Sequence, residues 1–273
     1  MARPSVLLRS LLLLAVLTAS VWTAPPVQAA PETVTIAAAN SLKDAFRKIL
    51  PLFEAHNKDI TVRVIYGPSQ TLSKQIEEGA PIDVFLPSQV EEIDQLEKKG
   101  LVIRGTRRVY ASTSLVLIAG TELPAPIASV QDLRTTLIRY IAIGDPKTSS
   151  VGKVAAQYLK YSKLDSQLKS QLVYGEHSRA VLDLVAKGEA DLGIVYRTDA
   201  VSNKKIRILD EAPVDSHQPV HYGVAAVWTA KNISGAGDFI NFLGRPQIQA
   251  LLQDHGFDRI AEPVGVAQRQ EGQ

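Results

Sequence analysis

Gly193-Ile194-Val195-Tyr196, running into Arg197-Thr198-Asp199-Ala200, ends an apolar, strand-like run with a phenol. In open α/β sheets ligands are held in the crevice outside the carboxyl ends of the strands, so Tyr196 stands where a bound molecule would be met. A core tyrosine whose hydroxyl meets a backbone carbonyl is the competing reading, and position along the chain leaves the two even.

Upstream, strand and helix signals alternate. Val34-Thr35-Ile36 is a short apolar strand, and Leu42, Ala45, Phe46, Ile49 and Phe53 then mark one face of a helix that starts at Ser41. Pro51 is expected to kink that helix or end it early. Ile60, Val62, Val64 and Tyr66 alternate as a strand, Ser69 opens a helix carrying Leu72 and Ile76, and Asp83-Val84-Phe85-Leu86 precedes a helix over 89–99. A second series begins at Ser114-Leu115-Val116-Leu117-Ile118. It continues with strand 141–143, helix 152–161, strand 173–174, helix 179–187 and the strand ending at Tyr196. Such alternation implies parallel sheet with crossover helices. A strand over 220–227 and helices over 235–243 and 246–255 close the chain.

The first 29 residues read as a secretory signal: Arg3 and Arg9 flank the start of an apolar run from Leu7 to Val21, and Val27-Gln28-Ala29 offers small residues for cleavage, so a mature chain beginning at Ala30 is expected in the periplasm. The chain has no cysteine, hence no disulfide framework, no thiolate metal site and no lipid acceptor after the signal. Removing the signal takes two of the 30 basic residues and none of the 28 acidic ones, so the mature chain is neutral. A neutral balance argues against nucleic acid, which is normally bound by a basic face. A bound anion must therefore be held by local geometry.

Read with Ala38-Ala39-Asn40-Ser41-Leu42, Gly67-Pro68-Ser69-Gln70-Thr71-Leu72 and Ile143-Gly144-Asp145-Pro146, the Tyr196 segment resembles the molybdate-binding solute receptors of bacterial ABC importers, over nearly the whole mature chain. The resemblance implies an α/β chain with the type II periplasmic binding fold: two αβ domains joined by a two-segment hinge, with the ligand in the cleft. It implies domain I from 30–112 plus 220–265 and domain II from 113–219, leaving a polar tail at 266–273. Ser41, Ser69, Val151, Ser178 and Tyr196 match the positions that contact the oxyanion, Val151 through its backbone N–H. Ser149-Ser150-Val151-Gly152 and Glu176-His177-Ser178-Arg179 depart from the family pattern, the first in the size of Val151, the second in adding a hydroxyl. Asn40 is a lesser donor, Asp145 is expected to shape the turn before Pro146, and Arg179 is expected to be solvated. The implied ligand is molybdate, with tungstate beside it, captured as an intact oxyanion with no direct metal ligand and no cofactor. The implied partner is an inner-membrane ABC permease, and the chain is expected to be a monomer.

Sulfate or another tetrahedral oxyanion is the alternative ligand. An alternative of another class is a Ser-x-x-Lys hydrolase using Ser150 and Lys153, although the Ser-Asp-Asn and Lys-Thr-Gly elements of that class are missing. Gly144 to Lys153 fails as a phosphate loop, because its glycines are too far apart and Val154 replaces the needed Ser or Thr. His217 and His221 flank Pro219, which argues against a metal pair on one helix face.

Overall fold

The computed structural model describes residues 32–123 and 126–260; the signal segment and the polar tail lie outside them. The chain begins with β1 (Glu32–Ala39), a single 3-10 turn (Asn40–Leu42) and α1 (Lys43–His56). It goes on through β2 (Ile60–Gly67), α2 (Ser69–Glu77), β3 (Val84–Leu86), α3 (Glu91–Lys98) and β4 (Arg108–Thr113). Next come β5 (Leu115–Gly120), β6 (Ile141–Gly144), α4 (Ser150–Tyr161), β7 (Leu172–Gly175), α5 (Ser178–Ala186), β8 (Leu192–Tyr196), the short α6 (Arg197–Ala200) and β9 (Ile206–Glu211). The described chain ends with β10 (Val220–Ala226), α7 (Ile233–Leu243) and α8 (Pro246–Gln253).

The strands form two five-stranded sheets, ordered β2-β1-β3-β10-β4 and β7-β6-β8-β5-β9, and each sheet with its helices is one lobe of an α/β fold. The sheets are mixed, not purely parallel as the alternation suggested. In each, three strands run parallel (β1, β2 and β3; β6, β7 and β8) and two are antiparallel to their neighbours. The antiparallel strands are those nearest the crossings between lobes. The chain leaves the first sheet after Thr113, enters the second at Leu115, and returns between Glu211 and Val220. Because Val220 pairs with Thr113, the two crossings run side by side.

Burial follows the helix-face spacing. Ala45, Phe46, Ile49 and Phe53 of α1 are buried, and both phenylalanines meet Phe239 of α7 edge-on, with ring centroids at 6.0 and 5.1 Å. Each such side chain contributes about 1.5–3 kcal/mol by leaving water. Pro51 sits inside α1 without ending it. It lies on the exposed face, where water can take up the carbonyl that its missing N–H leaves free.

Candidate functional site

The parallel strands of both sheets end at one small cavity. Its wall comprises Ala39, Asn40 and Ser41 after β1; Gly67, Pro68 and Ser69 after β2; Ser88 just beyond β3; Ser149 and Ser150 after β6; His177 and Ser178 after β7; and Tyr196 at the end of β8. Six strand ends thus converge, three from each lobe, as crevice sites in open sheets require. Four of the five residues singled out from sequence, Ser41, Ser69, Ser178 and Tyr196, line this cavity. Val151 does not; it is buried behind it, where its Cγ1 lies 2.7 Å from the position a Cβ would take on Gly144. Asn40, ranked lower from sequence, is in the wall. The cavity is small, 20 Å³ against the roughly 10–15 Å³ that one water needs.

Helix starts face the cavity from both sides. Ser69, Ser150 and Ser178 are the first residues of α2, α4 and α5, and no side chain caps α2 or α4. Their first-turn amides thus remain available to an external acceptor, with the positive end of each helix dipole behind them. The α4 start is brought close by two glycines: a Cβ on Gly152 would lie 2.4 Å from the Gly144 carbonyl oxygen, so only glycine permits the helix to sit against the end of β6. As expected, Asp145 shapes this turn, accepting from the Lys147 N–H at 2.9 Å.

The serines are not helix caps. Ser41 Oγ accepts from the Tyr222 hydroxyl at 2.8 Å, Ser69 Oγ accepts from the Ser88 N–H at 3.0 Å, and Ser178 Oγ accepts from the Tyr196 N–H at 3.2 Å. Each hydroxyl has one hydrogen to donate while the protein occupies one of its lone pairs; for Ser69 a second contact, 3.2 Å to Ser88 Oγ, can run in either direction, and Ser178 also lies beside the Asp199 carboxylate. The hydroxyls of Ser150 and Tyr196 go further: both are buried and neither has a hydrogen-bond partner. An unpaired buried polar group is costly, so these two hydroxyls are available to any acceptor that enters the cavity. Burial and the neighbouring Tyr222 push the Tyr196 phenol well above its ordinary pKa, so it remains a donor throughout the physiological range. His177, whose pKa burial lowers, accepts from the Ala180 N–H at 3.1 Å and caps α5. No lysine, arginine, aspartate or glutamate is in the wall.

Sequence reasoning missed Ser88, Ser150 as a donor, and Tyr222. The last lies 181 positions from the Ser41 it orients, a separation at which no local pattern connects them. Tyr222 also stacks edge-on with Tyr196, at 6.3 Å, and with Phe257, at 4.9 Å. The expectation for Arg179 is corrected. It is not solvated but pairs with Asp44 of α1 and approaches Asp199, because α5 carries it to the boundary between lobes. Lys153 pairs with Glu92 at 3.8 Å, so the amine a hydrolase would need as its base is held by a carboxylate. Among the described residues, no three His, Cys, Asp or Glu side chains gather as a metal site. None of the described helices is long and apolar enough to cross a membrane.

The pattern of the bacterial extracellular solute-binding proteins matches residues 34–258. The molybdate-binding protein ModA of Haemophilus influenzae is 32% identical over 232 residues, covering 84% of this chain and 91% of that protein. ModA of Escherichia coli is 33% identical over 234 residues, covering 82% and 88%. The periplasmic molybdate-binding protein of Azotobacter vinelandii has the same fold, with a TM-score of 0.76 at 21% identity over 84% of this chain and 100% of that one.

Proposed function

The chain belongs to the bacterial extracellular solute-binding proteins, and from that premise we propose that it captures molybdate as an intact tetrahedral dianion and delivers it to the membrane subunit of an ABC importer. It is a binding protein and not an enzyme. Tungstate, of the same charge and shape, is a second ligand in this reading. The protein works as a periplasmic monomer, its lobes bounded as 30–112 with 220–265 and 113–219.

One observation carries the reading: the cavity offers hydrogens and no charge. The hydroxyls of Ser41, Ser69, Ser178 and Tyr196 donate to the oxyanion, joined by Ser150 and by first-turn amides of α4, that of Val151 included. A dianion leaves water at great cost unless its oxygens are hydrogen-bonded, and each bond to a charged acceptor contributes about 1.5–3 kcal/mol net. Several such donors, with the dipoles behind them, offset the loss of hydration without a lysine.

The donor set also ranks anions. Molybdate, tungstate and sulfate are fully deprotonated near neutral pH, whereas phosphate carries a proton, and the wall has no carboxylate to accept it. Titration calorimetry with the four anions should give the tightest binding for molybdate and tungstate, weaker binding for sulfate, whose shorter bonds leave the donors farther from its oxygens, and the weakest for phosphate. Sulfate binding as tight as molybdate would make this a general tetrahedral-anion receptor. Tighter binding of phosphate would overturn the assignment.

A further inference from the structure

Charge is kept one step back from the hydroxyls of the cavity. Asp44 lies three residues beyond Ser41, Arg179 one beyond Ser178, Glu92 four beyond Ser88 and Lys153 three beyond Ser150. These four residues form two ion pairs, and each pair joins one lobe to the other: Arg179 of α5 with Asp44 of α1, and Lys153 of α4 with Glu92 of α3.

The Arg179 pair is the better built. Its side chains are only 24% and 19% exposed, and the Ser202 hydroxyl of the second lobe adds a donor to Asp44 at 3.3 Å. Behind the guanidinium, Asp199 is fully buried with neither oxygen hydrogen-bonded, and its Oδ1 lies 3.6 Å from Arg179 Nε. Asp199 therefore holds Arg179 on its own lobe while Asp44 is met across the cleft. Although burial acts to raise the Asp44 pKa, the hydrogen bond and charge of Arg179 hold it below the ordinary value, as a formed pair should. Glu92 is nearly as sequestered, its side chain 5% exposed, with Lys153 across the cleft. Parting the lobes would break both pairs, and closing them would restore each beside a serine of the cavity wall.

We propose that Arg179–Asp44, seconded by Lys153–Glu92, is an interlobe clasp that stabilises the closed form and sets how long the anion is retained, with Arg179 a positioning residue that does not touch the ligand. This rests on the capture reading above for the ligand, but not for the clasp itself. Each pair is neutral by itself, so neither sets a lone cation against the dianion. A lone cation in the wall would bind any anion; a clasp displaced from the wall leaves discrimination to the hydroxyls.

Because the chain has no cysteine, closure can be read directly from spin labels on Lys58→Cys in the first lobe and Lys169→Cys in the second, both exposed positions. Release of isotopically labelled molybdate into excess unlabelled molybdate gives the retention time. Arg179→Gln and Asp44→Asn should each lengthen or broaden the interlobe distance and speed release about tenfold, while Arg179→Lys, which keeps the charge, should recover part of the loss. The double variant Asp44→Asn with Arg179→Gln should release no faster than Arg179→Gln alone, because the interlobe interaction is already lost there; a merely structural role would lower the unfolding midpoint of the ligand-free chain and leave the interlobe distances unchanged. Unchanged distances and release rates in Arg179→Gln, or additive losses in the double variant, would overturn the clasp. If the wild-type chain binds no molybdate, the functional reading fails alone, and the label distances still decide the clasp.

Discussion

Replacing Tyr196 by Phe should move affinity and stability in opposite directions. The ring stays, and with it the edge-on contact to Tyr222, whose centroid is 6.3 Å away. Only the hydroxyl is lost, and that hydroxyl is buried without a partner when the cavity is empty. Toward the ligand, the loss is one hydrogen bond to a charged acceptor, about 1.5–3 kcal/mol, so molybdate should bind roughly tenfold to a hundredfold more weakly. Toward folding, the variant no longer buries an unpaired hydroxyl, a group that costs about 1–3 kcal/mol when left unsatisfied. The ligand-free variant should thus be as stable as wild type, or more so by about 1 kcal/mol. Calorimetric titration gives the first quantity and urea unfolding without anion gives the second. The affinity loss should be the same from pH 6 to 9, since the phenol is held well above its ordinary pKa and stays protonated. Unchanged molybdate affinity would return Tyr196 to the core, and a ligand-free variant destabilised by more than about 1 kcal/mol would show that the hydroxyl has a protein partner after all.

Two neighbouring substitutions on α4 should part company. Ser150→Ala removes an unpartnered hydroxyl in the cavity wall and should weaken molybdate binding about tenfold, while Val151→Ala keeps its amide and should leave affinity within a few-fold but lower the unfolding free energy by about 1–3 kcal/mol through the space it empties beside Gly144. Calorimetry and urea unfolding on the pair check this, and equal affinity losses would mean that packing and not donor count governs the site. Asp199 should tie stability to pH. Burial raises its carboxyl from 3.8 to about 6, against the opposing effects of Ser178 and Arg179, so between those values the folded chain holds a proton that the unfolded chain has lost. Its stabilising contribution is complete below about pH 4 and is lost as pH rises through 6, a difference of about 3 kcal/mol at 1.36 kcal/mol per unit. Asp199→Asn should cancel that trend, so unfolding free energies of variant and wild type, measured by urea across pH 4 to 7, should diverge with rising pH; a constant gap would refute the shift.

The periodicities that define the elements are local, and they were legible. The spacing of Ala45, Phe46, Ile49 and Phe53 marks the face that α1 buries, and the run into Tyr196 marks a strand that ends at a crevice. Two strands escaped, β4 and β9, because each is an edge strand whose exposed side carries residues such as Arg108 and Glu211 that blur the alternation. The mixed direction of the sheets was equally hidden, since it depends on how the chain re-enters a lobe and not on any residue within a strand. At the site, Ser41, Ser69, Ser178 and Tyr196 could be named because the short motifs around them together resemble those of molybdate receptors; taken singly, each serine reads equally as an ordinary helix cap. Tertiary structure alone decided what these groups can do. Only in space does Tyr222 occupy a lone pair of Ser41, do Ser150 and Tyr196 remain unpaired, and does Arg179 meet Asp44, 135 positions away. The chain's pattern determines which surfaces must be buried, because burial scores each residue separately. Pairing of a hydrogen with a lone pair, or of a cation with an anion, depends on partners that folding brings together from distant segments.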